Sequence, residues 1–143
     1  MNGGSSPLLI PVRKTITFTG AANLGQAATA VTVFTVTGLI TVVKIVARCT
    51  SDLTVVAGAT IALGTVATPQ LFIATTTSDD VDSPDVWTAV APTLRSIIIP
   101  AIMKDTLING ENIIITNATQ NTTGGVLDIV LTYQAETAGA VAV

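Results

Sequence analysis

Hydrophobic and polar positions alternate along most of this chain with the two-residue period of β-strands, and the longest such stretch, Val31 to Thr50, reads VTVFTVTGLITVVKIVARCT. Side chains branched at Cβ crowd a helical turn but lie easily on a pleated surface, so this stretch predicts extended chain on both sides of Gly38. Gly38 itself fits either a tight reversal or a bulge within one long strand. From Leu39 onward the period places Leu39, Thr41, Val43, Ile45, Ala47 and Cys49 on one face, and Ile40, Val42, Lys44, Val46, Arg48 and Thr50 on the other. The first face is the expected core. The second keeps three apolar positions among two cations, the pattern of a face covered by a partner rather than by the domain's own core.

The other elements follow the same logic. Val12, Ile16 and Phe18 share a phase with Lys14, while Arg13, Thr15, Thr17 and Thr19 take the opposite one, which predicts a half-buried antiparallel strand. Gly20 to Gln26 (GAANLGQ) predicts a turn, Ser51-Asp52 the close of the long strand, and Ala59 to Thr65 a strand with Ile61 and Leu63 inward and Gly58 and Gly64 at its ends. Pro69 to Ala74 suits a short helical turn or a strand. Leu94 to Ile99 reads as a strand that Pro100 ends or confines to a sheet edge. Asn109-Gly110 predicts a hairpin, Asn121 to Gly125 a second turn, and the last strand buries Leu127, Ile129, Leu131 and Tyr133. About eight strands with no long helix predict an all-β, antiparallel β-sandwich over residues 12–134, jelly-roll-like in form. Residues 1–11 read as a flexible arm whose apolar knot, Leu8, Leu9 and Ile10, lies between Pro7 and Pro11, and residues 135–143 read as a small-residue tail able to dock.

Composition sharpens this picture. A chain of 143 residues is expected to form one domain. Charged residues make up 10% of it, against about 25% in ordinary globular domains. So few charges predict a surface of Thr, Asn, Ser and Ala together with apolar surface hidden in an assembly. The cations Arg13, Lys14, Lys44, Arg48, Arg95 and Lys104 are scattered and aromatics are 3% of the chain, so neither a phosphate-binding stripe nor stacking platforms for nucleic acid are expected. No apolar run approaches the ~18 residues of a membrane span, and the N-terminus lacks the pattern of a secretory signal, which predicts synthesis in a cytoplasm without export. Cys49, the single cysteine, falls on the core phase and is expected to act as a small buried hydrophobe.

Catalytic chemistry has little to work with. Without histidine or a second cysteine, Ser-His-Asp and Cys-His devices and His/Cys zinc sites cannot be built, and no cofactor is expected. Paired carboxylates could in principle serve glycoside hydrolysis, but Trp87 and Tyr133 are the only large amphipathic rings. Asp79, Asp80, Asp82 and Asp85 form the one polar constellation with metal-ligand chemistry, because calcium takes several oxygen ligands. Their DDxDxxD spacing matches no EF-hand loop, and a solvated acidic loop shaped by Pro84 is the expected reading. The patterns at Asn117 and Asn121 that would suit glycosylation read as turn polarity, since the chain is not expected to meet the modifying machinery.

Four stretches taken together, KTITFTGAANLG at Lys14 to Gly25, VFTVTGLITVVKIVARCTSDL at Val33 to Leu53, IALGT at Ile61 to Thr65, and a tryptophan after an acidic loop, resemble small virion structural proteins of tailed bacteriophages. The resemblance spans about residues 14 to 134. It implies a non-enzymatic capsid decoration, or cement, subunit on the capsid surface, made in the host cytoplasm, with the major capsid protein and copies of itself as partners, a homotrimer being the implied form. Alternatives are a tail, fibre or adsorption component, or a carbohydrate-binding sandwich with an exposed aromatic platform. Neither nucleic acid nor membrane is an expected partner. The expected interface is Leu8, Leu9, Ile10, Ile40, Val42 and Val46, with Lys44 and Arg48 adding charge-assisted contacts.

Overall fold

The computed structural model describes residues 8–94 and 100–143. In chain order its strands are β1 (Leu9–Thr17), β2 (Ala30–Phe34), β3 (Val36–Thr37), β4 (Leu39–Val55), β5 (Thr60–Thr65), β6 (Ile73–Thr77), β7 (Val86–Trp87), β8 (Thr106–Asn109), β9 (Ile113–Ala118), β10 (Thr122–Ala135) and β11 (Val141–Ala142). Among the described residues the helical content is two single 3-10 turns, Ser78–Asp80 and Ala101–Met103. The chain is thus an all-β, antiparallel sandwich. Among the described residues three of the eleven strands are only two residues long.

One sheet runs β1-β10-β4, with β7 and β8 sharing the second edge of β4 at Ala47–Arg48 and Leu39–Val42. The other runs β2-β9-β5-β6, and β3 pairs with β11 beside them. One buried cluster fills the space between, drawing Ile45, Leu127 and Leu131 from the first sheet and Val33, Leu63 and Ile115 from the second. Lys14 has the core phase of β1, opposite Ile129, yet is exposed at the sheet's edge. A charge in that position hinders pairing with a foreign strand.

Chain reversals that look local in sequence prove to be crossings between sheets. Asn109-Gly110 makes no hairpin: β8 pairs with β4, while β9 pairs with β2 and β5 in the other sheet. Gly38 is neither a reversal nor a bulge but a corner at which the chain leaves the β2 side and enters β4. Its φ is +72°, Gly110 has φ +64°, and the Gly110 amide donates to the Gly38 carbonyl at 2.8 Å, so the two corners are tied together. Strands that switch sheets need such bends, and a left-handed backbone is where glycine costs least.

Several boundaries also move. β4 continues past Ser51-Asp52 because Leu53 is a core residue. Gly64 lies inside β5, not at its end. Pro69 starts no helix: Leu71 donates to the Thr68 carbonyl, Phe72 donates to Leu63, and β6 begins at Ile73. The expected turn at Asn121 to Gly125 sits earlier, around Thr119 (φ +67°), and residues 122–125 already belong to β10. Leu9 to Pro11, read as part of an arm, extend β1 opposite Gln134 to Thr132. The C-terminal tail docks on its own chain: β11 pairs with β3, Thr35 and Val143 exchange backbone hydrogen bonds, and Ala140 and Ala142 are buried. Of the expected strand from Leu94 to Ile99, residues 95–99 lie outside the described residues.

The correction with the largest consequence is in β4. Thr132 faces Lys44 and Tyr133 faces Val42, so Val43 is an extra residue with no counterpart on β10. One inserted residue inverts the facing of everything on one side of it. From Ile45 to Cys49 the expected core phase holds. Before the bulge it is reversed, and Ile40 and Val42 point into the core, with no exposed surface.

Candidate functional site

The outward face of the β1-β10-β4-β8 sheet is open to solvent, and register places its side chains in rows. Leu9, Gln134, Thr41 and Leu107 form one, then Pro11, Thr132 and Lys44, then Arg13, Val130 and Val46, then Thr15, Asp128, Arg48 and Val86. Leu9 and Leu107, at opposite ends of the first row, are 51% and 62% exposed, more than a side chain on a covered face would show. Between them Glu136 accepts hydrogen bonds from Thr41 Oγ1 (2.7 Å) and Gln134 Nε2 (2.9 Å), fixing the polar middle of that row.

Asp128 is the fixed charge of the face. The Arg13 guanidinium holds it bidentately, Nε at 2.8 Å from Oδ1 and Nη2 on Oδ2, and Arg48 Nη2 lies 3.8 Å from Oδ2. The carboxylate is hidden by these arginines rather than by apolar core, so it keeps an ionic environment. The hydrogen bond from Arg13, opposed by burial and reinforced by the charges of Arg13 and Arg48, holds the Asp128 carboxyl below its ordinary range. Because the folded value is depressed, the pair's stabilisation is present above the unfolded aspartate pKa and is lost as pH falls through the folded one. Asp128→Asn should therefore lower stability at neutral pH by about 0.5–1 kcal/mol, the usual worth of an ion pair at the solvent edge. The difference from wild type should hold at neutral pH and shrink as melts are taken into acid, below the ordinary aspartate range.

The expected interface residues divide. Leu9, Lys44, Val46 and Arg48 lie on the open face, Leu8 is exposed beside it, and Ile10 is half-buried against the core. Ile40 and Val42 are not surface residues at all, because the bulge at Val43 turns them inward, so they are removed from the interface. A paired substitution separates the two environments. Val42→Thr places a hydroxyl in the core and should destabilise by about 1–3 kcal/mol, whereas Val46→Thr should stay within about 0.5 kcal/mol of wild type; urea unfolding of the two proteins reads this directly. Arg13, Asp128 and Leu107 belong to the face as well. Their place follows from strand pairing, and only the alternation of Leu107 with the buried Ile108 hints at it in sequence.

The remaining chemical candidates do not assemble. Asp79, Asp80 and Asp82 are exposed and Asp85 is half-buried, and among the described residues no three His, Cys, Asp or Glu side chains stand so as to hold a metal ion. The backbone spreads the four carboxylates along a 3-10 turn and the loop that follows it. Burial above all pushes the Cys49 thiol up, with a hydrogen bond to Ser51 opposing and the charges of Asp52, Asp82 and Asp85 adding, so it stays a protonated core side chain. Trp87 is fully buried with Nε1 donating to Thr76 Oγ1 at 3.0 Å, and Tyr133 is buried too, so neither offers a sugar a platform. Asn117 is buried and donates to Thr122 Oγ1, while Asn121 Oδ1 accepts from the Ala27 amide.

The chain matches no protein-family model, and no curated protein matches it. In fold it is similar to a chain of the cyanophage Pam1 capsid asymmetric unit, with a TM-score of 0.55 at 17% sequence identity, the alignment covering 94% of this chain and 90% of that one.

Proposed function

We propose that this chain is a non-enzymatic virion structural protein, a decoration subunit that sits on the phage head and stabilises it by bridging capsid neighbours. The observation that carries the reading is the fold similarity to a chain of a capsid asymmetric unit over nearly the full length of both. The low charge content, the open sheet face and the exposed Leu8, Leu9 and Leu107 support it, since each suits a subunit that buries surface against neighbours. A DNA-filled shell pushes outward, and a subunit spanning two neighbours adds area that must be exposed before they part. Contacts of ordinary size bury roughly 1,200–2,000 Å² in total, and repetition over a lattice multiplies them.

Purified protein added to heads assembled without it should bind them saturably and raise the temperature at which they release DNA. Heads that bind none of it, or open at an unchanged temperature, would overturn the role. Immunogold labelling of virions separates head from tail, because a tail or adsorption component would label the tail alone.

A further inference from the structure

Residues 140–143 lie over the Gly38 corner and supply β11, and we infer that they are a strap seated in a strand-acceptor slot beside β3. The strap lifts while the sandwich stays folded, and the slot then takes an extended peptide with small side chains at alternate positions. The seated segment shows what the slot accepts. Val141 and Ala142 pair with Thr37 and Val36, and Thr35 and Val143 donate to each other's carbonyls at 2.8 and 3.0 Å. Ala140 and Ala142 turn inward and are buried, whereas Val141 is half-buried and Val143 exposed. Gly38 sets the size limit beneath them. A Cβ on it would lie 3.0 Å from Ala140 Cβ, so strap and corner approach too closely for a further methyl group between them. Backbone hydrogen bonds to a strand edge supply affinity, and small side chains at every second position supply selectivity, which is how extended peptides are recognised by strand addition.

The same features decide how firmly the strap is held. Its two inward side chains bury one methyl group each, and β11 is two residues long against fourteen in β10. A segment with so little buried apolar area opens at a lower free energy than the core strands. The hinge is equally local. Glu136 donates its amide to the Leu39 carbonyl and Thr137 Oγ1 accepts from the Leu39 amide, so the chain is anchored up to Thr137. Beyond that point a tight turn aims β11: the Ala140 amide donates to the Thr137 carbonyl at 3.1 Å, and Gly139 inside the turn has φ +76°. A Cβ on Gly139 would meet nothing within 4 Å, so no packing holds the turn there. Lifting residues 140–143 frees the Thr35 amide and carbonyl and the edge of β3, and an unpaired edge is a template for another strand.

Amide hydrogen exchange of the full chain tests the strap. The Thr35 and Val143 amides should exchange together, at least about a hundredfold faster than the slowest amides of β4 and β10. Gly139→Pro fixes φ near about −65° and opposes the turn; it should speed the Thr35 amide by roughly a further tenfold and leave the sandwich folded. In an NMR titration the synthetic peptide TAGAVAV, the sequence of residues 137–143, should bind this variant saturably. It should bind wild type roughly tenfold more weakly or worse, because the tethered strap competes for the slot. A peptide carrying leucine in place of the alanines that correspond to Ala140 and Ala142 should bind neither. Locking the strap gives the converse. Val36 and Ala142 adjoin the doubly bonded Thr35–Val143 pair and so form a non-hydrogen-bonded pair, with Cα atoms about 4.5 Å apart and within reach of a disulfide. The chain with Val36→Cys and Ala142→Cys, oxidised, should slow the Thr35 amide to the rate of the core and exclude the peptide. Thr35 and Val143 amides that exchange only with the core, a Gly139→Pro chain that binds no peptide, or binding that survives the lock or the leucines would overturn the slot. None of these results bears on the decoration role, which rests on the fold similarity.

Discussion

Trp87→Ala is expected to lower stability by about 3–5 kcal/mol, the range for removing a fully buried large aromatic side chain, and to lower the melting temperature by roughly 10–15 °C. The magnitude follows from where the ring sits. β7 is only two residues long and is held to the sheet by two register pairs, Ala47 with Trp87 and Arg48 with Val86. The indole carries most of the apolar area that this strand buries, and its Nε1 satisfies Thr76 Oγ1, which itself donates to the Ala74 carbonyl. Alanine leaves a cavity between the sheets and a buried hydroxyl short of a donor. Trp87→Phe keeps most of the packing and should cost less, leaving mainly the lost hydrogen bond. Leu107→Ala, on the open face, should stay within about 0.5 kcal/mol of wild type. An alanine variant that melts with wild type would place Trp87 outside the core and the β4–β7 pairing in error.

Gly64→Ala is the second large effect, and it is steric. β5 lies inside its sheet between β9 and β6, and Gly64 faces the turn that leads to β6. A Cβ there would lie 2.5 Å from both C and O of Pro69 and nearer still to the Thr68 carbonyl oxygen. These are backbone atoms of a closed turn, in which Thr65 donates to Thr68 and the Thr68 amide donates to Thr65 Oγ1, so they cannot swing aside as a side-chain end would. Overpacking of this kind costs about 1–3 kcal/mol, and a rigid opposing backbone puts the change at the upper end. The urea midpoint should fall with little change in slope. An unaltered midpoint would mean that the turn stands away from β5.

What could be read in advance depended on whether the signal was local. The final strand was legible because Leu127, Ile129, Leu131 and Tyr133 keep one uninterrupted period, and the structure buries all four. The facing of β4 was legible only after Val43. A bulge shows itself in the count of residues opposite it, and the β10 residues that flank this one, Thr132 and Tyr133, are about 90 residues further along the chain. The dipeptide at Asn109-Gly110 reports a left-handed backbone at Gly110, which is present, but the same backbone serves a hairpin and an inter-sheet corner alike. Pairing partners decide between those two, and pairing is not written in a turn.

The candidate face shows the same division. Lys44, Val46 and Arg48 were placed outward by the alternation of their own strand, whereas Arg13 and Asp128 join them only through the register of three strands. Even the near-complete burial of Asp128 on an outward position needs the two arginines that cover it. The N-terminal leucines stand out as an apolar knot from composition alone. That Leu9 would stand in one row with Leu107 is a consequence of the sheet order.

The proposed decoration role is tested most directly by cryo-electron microscopy of phage heads to which this chain has been added. Density matching the β-sandwich is expected on the head, repeated with the capsid lattice, with the outward face of the β1-β10-β4-β8 sheet covered by a neighbouring subunit. A head without such density, or the sandwich found only at the tail, would contradict it.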